Sequence, residues 1–247
     1  MEIIKYILLG IIQGLTEFLP VSSSGHLILL EKLGLAEPSI FFNLILHLAS
    51  LGAVIIVMRK DMFEWIKRPL SREAKWIYLL SVPTVIIAFV FSLFFEDMLL
   101  GKFLPMGFLL TSFLLVLATI NRHNGKELNY KNSLLTGVAQ GIAVLPGVSR
   151  SGITIATMTA LGIDKEKAVK LSFMMSVPII IGGSIWEGIK GGFTQNINIL
   201  YALSGALAAF LSGLLALKLM VKFFSKMSFM PFAIYTFILG ALSFAVQ

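Results

Sequence analysis

The 247 residues are 57% hydrophobic and only 13% charged, far more apolar and far less charged than a soluble domain, so a soluble globular protein is excluded and an integral membrane protein is expected. The net charge of +7 then reads as the Lys and Arg excess of cytoplasmic loops and not as a nucleic-acid surface. The absence of cysteine removes disulfide frameworks and thiolate metal sites.

The chain opens without the charged region and cleavage site of a signal peptide, so its first apolar run is expected to stay in the mature protein. That run, residues 3–15, is too short for the roughly 20 helical residues that a bilayer core demands. Pro20 and a serine cluster follow, then a second short run over residues 26–33. Two short helices broken by Pro and Gly predict a re-entrant hairpin over residues 1–34, because broken backbone at membrane depth needs protein or a watery cavity around it. A full span is predicted over residues 41–58. The stretch 59–75, with Arg59, Lys60, Lys67, Arg68, Arg72 and Lys75, reads as a cytoplasmic loop.

Spans over residues 76–95 and 104–120 lead to a second basic loop holding Arg122, Lys126 and Lys131. Three spans is an odd number, so a second hairpin over residues 133–161 enters from the opposite face. It returns to a loop with Lys165, Lys167 and Lys170, and spans over residues 171–186, 199–217 and 229–246 complete the chain. The last two are joined by a loop with Lys218, Lys222 and Lys226. Only Lys5, Lys32, Lys102 and Lys190 fall on the outer side, so the orientation is consistent along the chain.

The two hairpins share one grammar. Gly10, Gln13, Gly14 and Gly25 match Gly137, Gln140, Gly141 and Gly152 at a common offset of 127 positions, which reads as an internal duplication. The expected fold class is therefore an all-α polytopic membrane protein, an inverted-topology repeat of six transmembrane helices plus two re-entrant helical hairpins. Its first repeat covers residues 1–127 and its second covers 128–247.

Each hairpin carries polar groups that hydrocarbon tolerates only with a reason, since an ionisable side chain at membrane depth costs roughly 2.5–3.5 kcal/mol on insertion scales. Gln13 and Glu17 stand at i and i+4 on one helical face. If the two hairpin tips meet at the midplane, Arg150 comes to Glu17 and His26. Ser22, Ser23 and Ser24 face Ser149 and Ser151 there, with Thr154 a turn further on. Serines that cap helices, and glycines that let backbone approach, turn two half-helix N-termini into an anion site. His26 lies three residues after Ser23, within reach of its hydroxyl across a first turn. His47, in the first span, is expected to be a packing residue, and the Met, Phe and small residues of the spans to be lipid contact and helix packing.

The segments Gln13-Gly-Leu-Thr-Glu17-Phe-Leu-Pro-Val-Ser-Ser-Ser-Gly-His26 and Pro146-Gly-Val-Ser149-Arg150-Ser151-Gly-Ile-Thr154 resemble the two signature motifs of the bacterial undecaprenyl pyrophosphate phosphatases, the bacitracin-resistance family. The resemblance runs nearly end to end. It implies removal of the terminal phosphate from undecaprenyl pyrophosphate, in the bacterial inner membrane, at an active site opening to the outer face. It further implies a divalent cation, Mg2+ or Ca2+. Family members carry Glu or Gln at the first motif position, and this chain has the Gln form at Gln13, whose amide oxygen can still ligate a hard cation beside Glu17.

Glu17, Ser23, His26 and Arg150 are then the expected catalytic residues, and Ser22, Ser24, Ser149, Ser151 and Thr154 the expected phosphate ligands. Ser23 activated by His26 and a water activated by His26 or Glu17 both stay open as nucleophile. The expected partners are the prenyl pyrophosphate lipid and membrane lipids, not nucleic acid; whether the chain pairs as a homodimer is left open. The alternative is a carrier that flips a lipid phosphate or moves a small anion, since transporters use the same broken-helix repeats. A nucleophile-and-base pair beside an anion clamp favours the enzyme.

Overall fold

The computed structural model describes residues 2–36, 39–95, 98–120, 125–190, 197–223 and 227–246. Arg122 and Lys226, expected in basic loops, lie outside them. The first apolar run forms α1 (Glu2–Phe18), which stops where Pro20 bars its predecessor from helical backbone, and α2 (Ser23–Lys32) returns. Then come α3 (Ile40–Val57), α4 (Arg59–Lys67), α5 (Arg72–Phe94) and α6 (Leu104–Ile120). The second broken pair is α7 (Tyr130–Ile142) and α8 (Arg150–Ala160), followed by α9 (Lys165–Ile189), α10 (Ile199–Phe223) and α11 (Met230–Ser243), which a 3-10 turn extends to Val246.

The stretch expected as a plain loop after the first span holds α4. It folds because Met62 buries into the core while Asp61 pairs with Lys170 of α9 at 2.5 Å and the Trp65 indole donates to the Tyr78 hydroxyl at 3.0 Å. Among the described residues four helices, α3, α5, α9 and α10, are long and apolar enough to cross a membrane, against the six expected; α6 and α11 are apolar but shorter.

Small residues let the broken helices sit close to long neighbours, as packing in lipid requires. Along α1, a Cβ on Gly10 or Gly14 would strike the backbone of α10 at Gly205 and Ala209. α7 packs on α5 in the same manner, where a Cβ on Gly137 would lie 2.5 Å from the Leu80 carbonyl oxygen. Between the hairpins the core is filled by side chains such as Phe18, Ile155, Met174 and Phe173, with Phe18 edge-on to Phe173 at 5.7 Å.

The two turns touch. A Cβ on Gly25 would lie 2.9 Å from the Gly147 Cα, and the Ser151 hydroxyl donates to the Leu19 carbonyl at 3.2 Å. The second turn has one residue more between its proline and the capping serine, Gly147, which takes a left-handed φ of 88°. The shorter first turn has no glycine there, and Ser22 itself adopts φ 70°, a conformation that L residues rarely hold. Gly147→Ala is expected to destabilise the fold by more than the roughly 1–2 kcal/mol of a left-handed alanine, since its Cβ would also meet the Leu104 carbonyl at 2.5 Å and the Phe108 nitrogen at 2.8 Å. Thermal melts in detergent check this.

Candidate functional site

Two serine-capped helices aim their N-termini at one place. Ser22 accepts from the Gly25 amide at 3.3 Å at the start of α2, and Ser149 accepts from the Gly152 amide at 3.1 Å at the start of α8. The caps satisfy one amide each, and the other first-turn N–H groups have no partner within their helix, so positive helix ends converge as at an anion site. Thr111 of α6 fixes the second turn by accepting from the Ser149 amide at 2.9 Å and donating to the Gly147 carbonyl at 2.9 Å.

Glu17, buried near the end of α1, organises the centre. Its Oε1 pairs with Arg150 Nη2, and its Oε2 accepts from Ser23 Oγ at 2.6 Å and from Gln13 Nε2 at 3.0 Å. A buried carboxylate with this many donors is compensated for its lost hydration. Arg150 spends one amino group on Glu17, while its Nη1 is buried without a hydrogen-bond partner.

These groups face a cavity of about 330 Å³ lined by Glu17, Ser22, Ser23, Ser24, Ser149 and Arg150. Leu44, Val144, Val148, Ile179 and Ile180 supply apolar walls, and Ser184 and Glu187 of α9 stand toward the helix end away from Lys165, Lys167 and Lys170. A phosphate-sized anion at the floor and a hydrocarbon chain along the walls suit this lining.

Not every expected residue reaches the cavity. Thr154 is fully buried, donating to the Arg150 carbonyl at 2.8 Å and sharing a 2.6 Å hydrogen bond with Ser172 of α9, so it braces α8. Ser151 turns to the Leu19 carbonyl. His26 does not pair with Ser23: its Nδ1 lies 2.6 Å from the Ser22 carbonyl and its Nε2 2.8 Å from the Tyr235 hydroxyl of α11. Ser23 takes Glu17 as its partner instead.

His47, expected as mere packing, lines the cavity. Its Nδ1 is 2.9 Å from Gln13 Nε2 and 3.5 Å from Glu17 Oε2. Glu187, Thr111 and Tyr235 were also not singled out from the sequence. A polar residue inside an apolar run was the available signal for each, but the partners of Thr111 and Tyr235 lie far away in the chain and Glu187 is placed only by the packing that makes the cavity.

A divalent cation suits the donors present. Hard cations take carboxylate and amide oxygens, and Mg2+ binds through one or two carboxylates plus substrate phosphates. Glu17 is such a carboxylate, and Gln13 Oε1 beside it is buried with no hydrogen-bond partner.

The family model described as bacitracin resistance protein BacA matches residues 6–242. The undecaprenyl-diphosphatase of Christiangramia forsetii is 41% identical over 254 residues, covering 97% of this chain and 96% of its own. Proteins of the same name from Carboxydothermus hydrogenoformans and Halothermothrix orenii are 37% and 39% identical, covering 100% and 97% of this chain and 98% and 96% of theirs.

Proposed function

The chain belongs to the bacitracin resistance protein BacA family, and on that premise we propose that it is a membrane-embedded phosphatase that hydrolyses undecaprenyl pyrophosphate to undecaprenyl phosphate and inorganic phosphate. The observation that carries the reading is the meeting of two capped helix N-termini, Arg150 and a Glu17-bound Ser23 hydroxyl on one cavity with apolar walls. Cleaving a phosphoanhydride asks a protein mainly for charge neutralisation and positioning.

In this mechanism the first-turn amides of α2 and α8 and Arg150 Nη1 hold oxygens of the terminal phosphate, and Ser22, Ser24 and Ser149 ring it. Ser23 Oγ attacks the phosphorus. A bond forms from Oγ to phosphorus, the anhydride P–O bond breaks and the lipid phosphate leaves. Glu17 takes the Oγ proton as the new bond forms and gives it to the departing phosphate oxygen. A loose transition state asks little of this base. Water then attacks the phosphoserine, with Glu17 taking its proton and returning it to Ser23 Oγ. A divalent cation, Mg2+ or Ca2+ by the family resemblance, would be held by Glu17 and Gln13 and would neutralise charge on the diphosphate oxygens.

His26 is a positioning residue in this scheme. Bridging the strained Ser22 turn and Tyr235, it fixes where Ser23 points. Tyr235→Phe should therefore cost about 1–3 kcal/mol of stability by leaving the ring nitrogen unpaired while phosphate release falls less than tenfold; melts and turnover measured together check this.

The architecture proposed is the inverted repeat, residues 1–127 and 128–247. In support, α1 packs on α10 as α7 packs on α5, and the caps at Ser22 and Ser149 match. At about 17 residues α6 and α11 with its extension reach the lower limit for crossing a bilayer core, which completes six spans around two re-entrant hairpins. With Lys165, Lys167 and Lys170 cytoplasmic, the cavity opens toward the outer face of a bacterial inner membrane.

The test is phosphate release from the prenyl pyrophosphate by the purified chain in detergent. The phosphatase reading expects inorganic phosphate with no membrane to cross. A carrier would bind the lipid and release none.

A further inference from the structure

Three groups able to ligate a cation stand together beside the cavity, the buried Gln13 amide behind two that line it, Glu17 Oε2 and His47 Nδ1. The amide nitrogen position is 3.0 Å from Glu17 Oε2 and 2.9 Å from His47 Nδ1, and the last two atoms are 3.5 Å apart. A small divalent ion with bonds of about 2.1 Å places neighbouring ligands about 3.0 Å apart at octahedral angles and about 3.4 Å apart at tetrahedral ones. The triangle has the size of one face of such a coordination sphere.

The chemistry of the corners agrees. As it stands Gln13 Nε2 donates to Glu17 Oε2 and lies within hydrogen-bond reach of His47 Nδ1, an arrangement that matches the tautomer with Nδ1 unprotonated and its lone pair toward the Gln13 corner. Gln13 Oε1 has no partner. A half-turn of the amide brings that oxygen to the same corner; in the tautomer with Nδ1 unprotonated three acceptors then face one another, and a cation between them would relieve the repulsion. Each oxygen of a carboxylate has two lone pairs, so Glu17 Oε2 can ligate and keep its bond to Ser23, while Oε1 keeps Arg150. The Gln13 amide thus serves as donor in one orientation and ligand in the other, which a glutamate could not do.

The geometry points to His47 as a nitrogen ligand that completes this cation site and turns its preference from Ca2+ toward the first-row transition ions. Imidazole suits Zn2+, Fe2+, Ni2+ and Cu2+, whereas Ca2+ takes six to eight oxygens at longer range; Mn2+, the weakest binder of the row and the closest to Mg2+ and Ca2+ in its taste for oxygen, serves as the spectroscopic probe. The inference rests on the phosphatase reading for the use of the ion and not for its binding.

The test is a titration of the purified chain in detergent with MnCl2 alone, followed by electron paramagnetic resonance and without lipid substrate. One Mn2+ per chain is expected, displaced by Ca2+ only at a large excess, with nitrogen modulation of the bound-ion echo from one imidazole. His47→Leu should remove the nitrogen signal and weaken Mn2+ by at least about tenfold, a loss that even supporting residues of a metal site produce, while Ca2+ affinity changes little. His26→Ala should keep the nitrogen signal. Bound Mn2+ without nitrogen coupling, coupling that survives His47→Leu in a protein with wild-type melting, or no Mn2+ binding would each overturn the inference. Wild-type phosphate release, assayed on the same preparation, separates these results from a failure of the phosphatase reading.

Discussion

Arg150→Lys is expected to lower phosphate release by about a hundredfold or more although the charge is kept. In the structure one guanidinium nitrogen is spent on Glu17 while Nη1 stands buried and free of a partner. The side chain therefore does two jobs that need a planar fork: it holds the carboxylate and offers a second, fixed donor to the phosphate. An ammonium can do one of them. Losing a hydrogen bond to a charged group costs about 1.5–3 kcal/mol, which is ten- to a hundredfold in rate, and the disturbed Glu17 adds to it because Ser23 hangs on the same carboxylate. Turnover at saturating lipid and cation measures the effect, with melts in the same detergent to confirm folding. Near-normal turnover would make Arg150 only a counter-ion to Glu17.

Ser23→Ala is expected to have the largest effect of all. If Oγ forms the bond to phosphorus, its removal abolishes the first step and turnover falls by more than roughly a thousandfold, as for other nucleophiles that act as a unit with their base. If Ser23 is only a phosphate ligand, the loss is one hydrogen bond, about ten- to a hundredfold. Glu17→Gln combined with Ser23→Ala should then be little worse than Ser23→Ala alone, because the 2.6 Å contact between them makes them one device. A Ser23→Ala protein retaining several per cent of wild-type turnover would leave water as the nucleophile.

The long-range arrangement was legible from the chain because it is encoded as repetition. Gly10 and Gly137, Gln13 and Gln140, and Gly25 and Gly152 read as two related turns, and the structure brings Glu17, Arg150, Ser22, Ser23, Ser24 and Ser149 to one cavity while Ser151 turns away from it. What was not legible came from side-chain direction. Sequence spacing allowed Ser23 and His26 to meet across a helical turn, yet the His26 ring lies against the Ser22 carbonyl and the Tyr235 hydroxyl on α11. His47 looked like an isolated histidine in an apolar span. Only the packing of α3 beside α1 sets it against Gln13. The helix α4 was hidden by its many charges, since the burial of Met62 and the pairing of Asp61 with α9 are tertiary facts.

The measurement closest to the central claim is the fate of the terminal phosphate. The lipid, labelled in that phosphate, is mixed with the detergent-purified chain and quenched in acid within a single turnover. The account predicts label on Ser23 first, up to one per chain, then as inorganic phosphate, with neither appearing in Ser23→Ala. Label that stays on the lipid, or that reaches inorganic phosphate at an undiminished rate in Ser23→Ala, would contradict it.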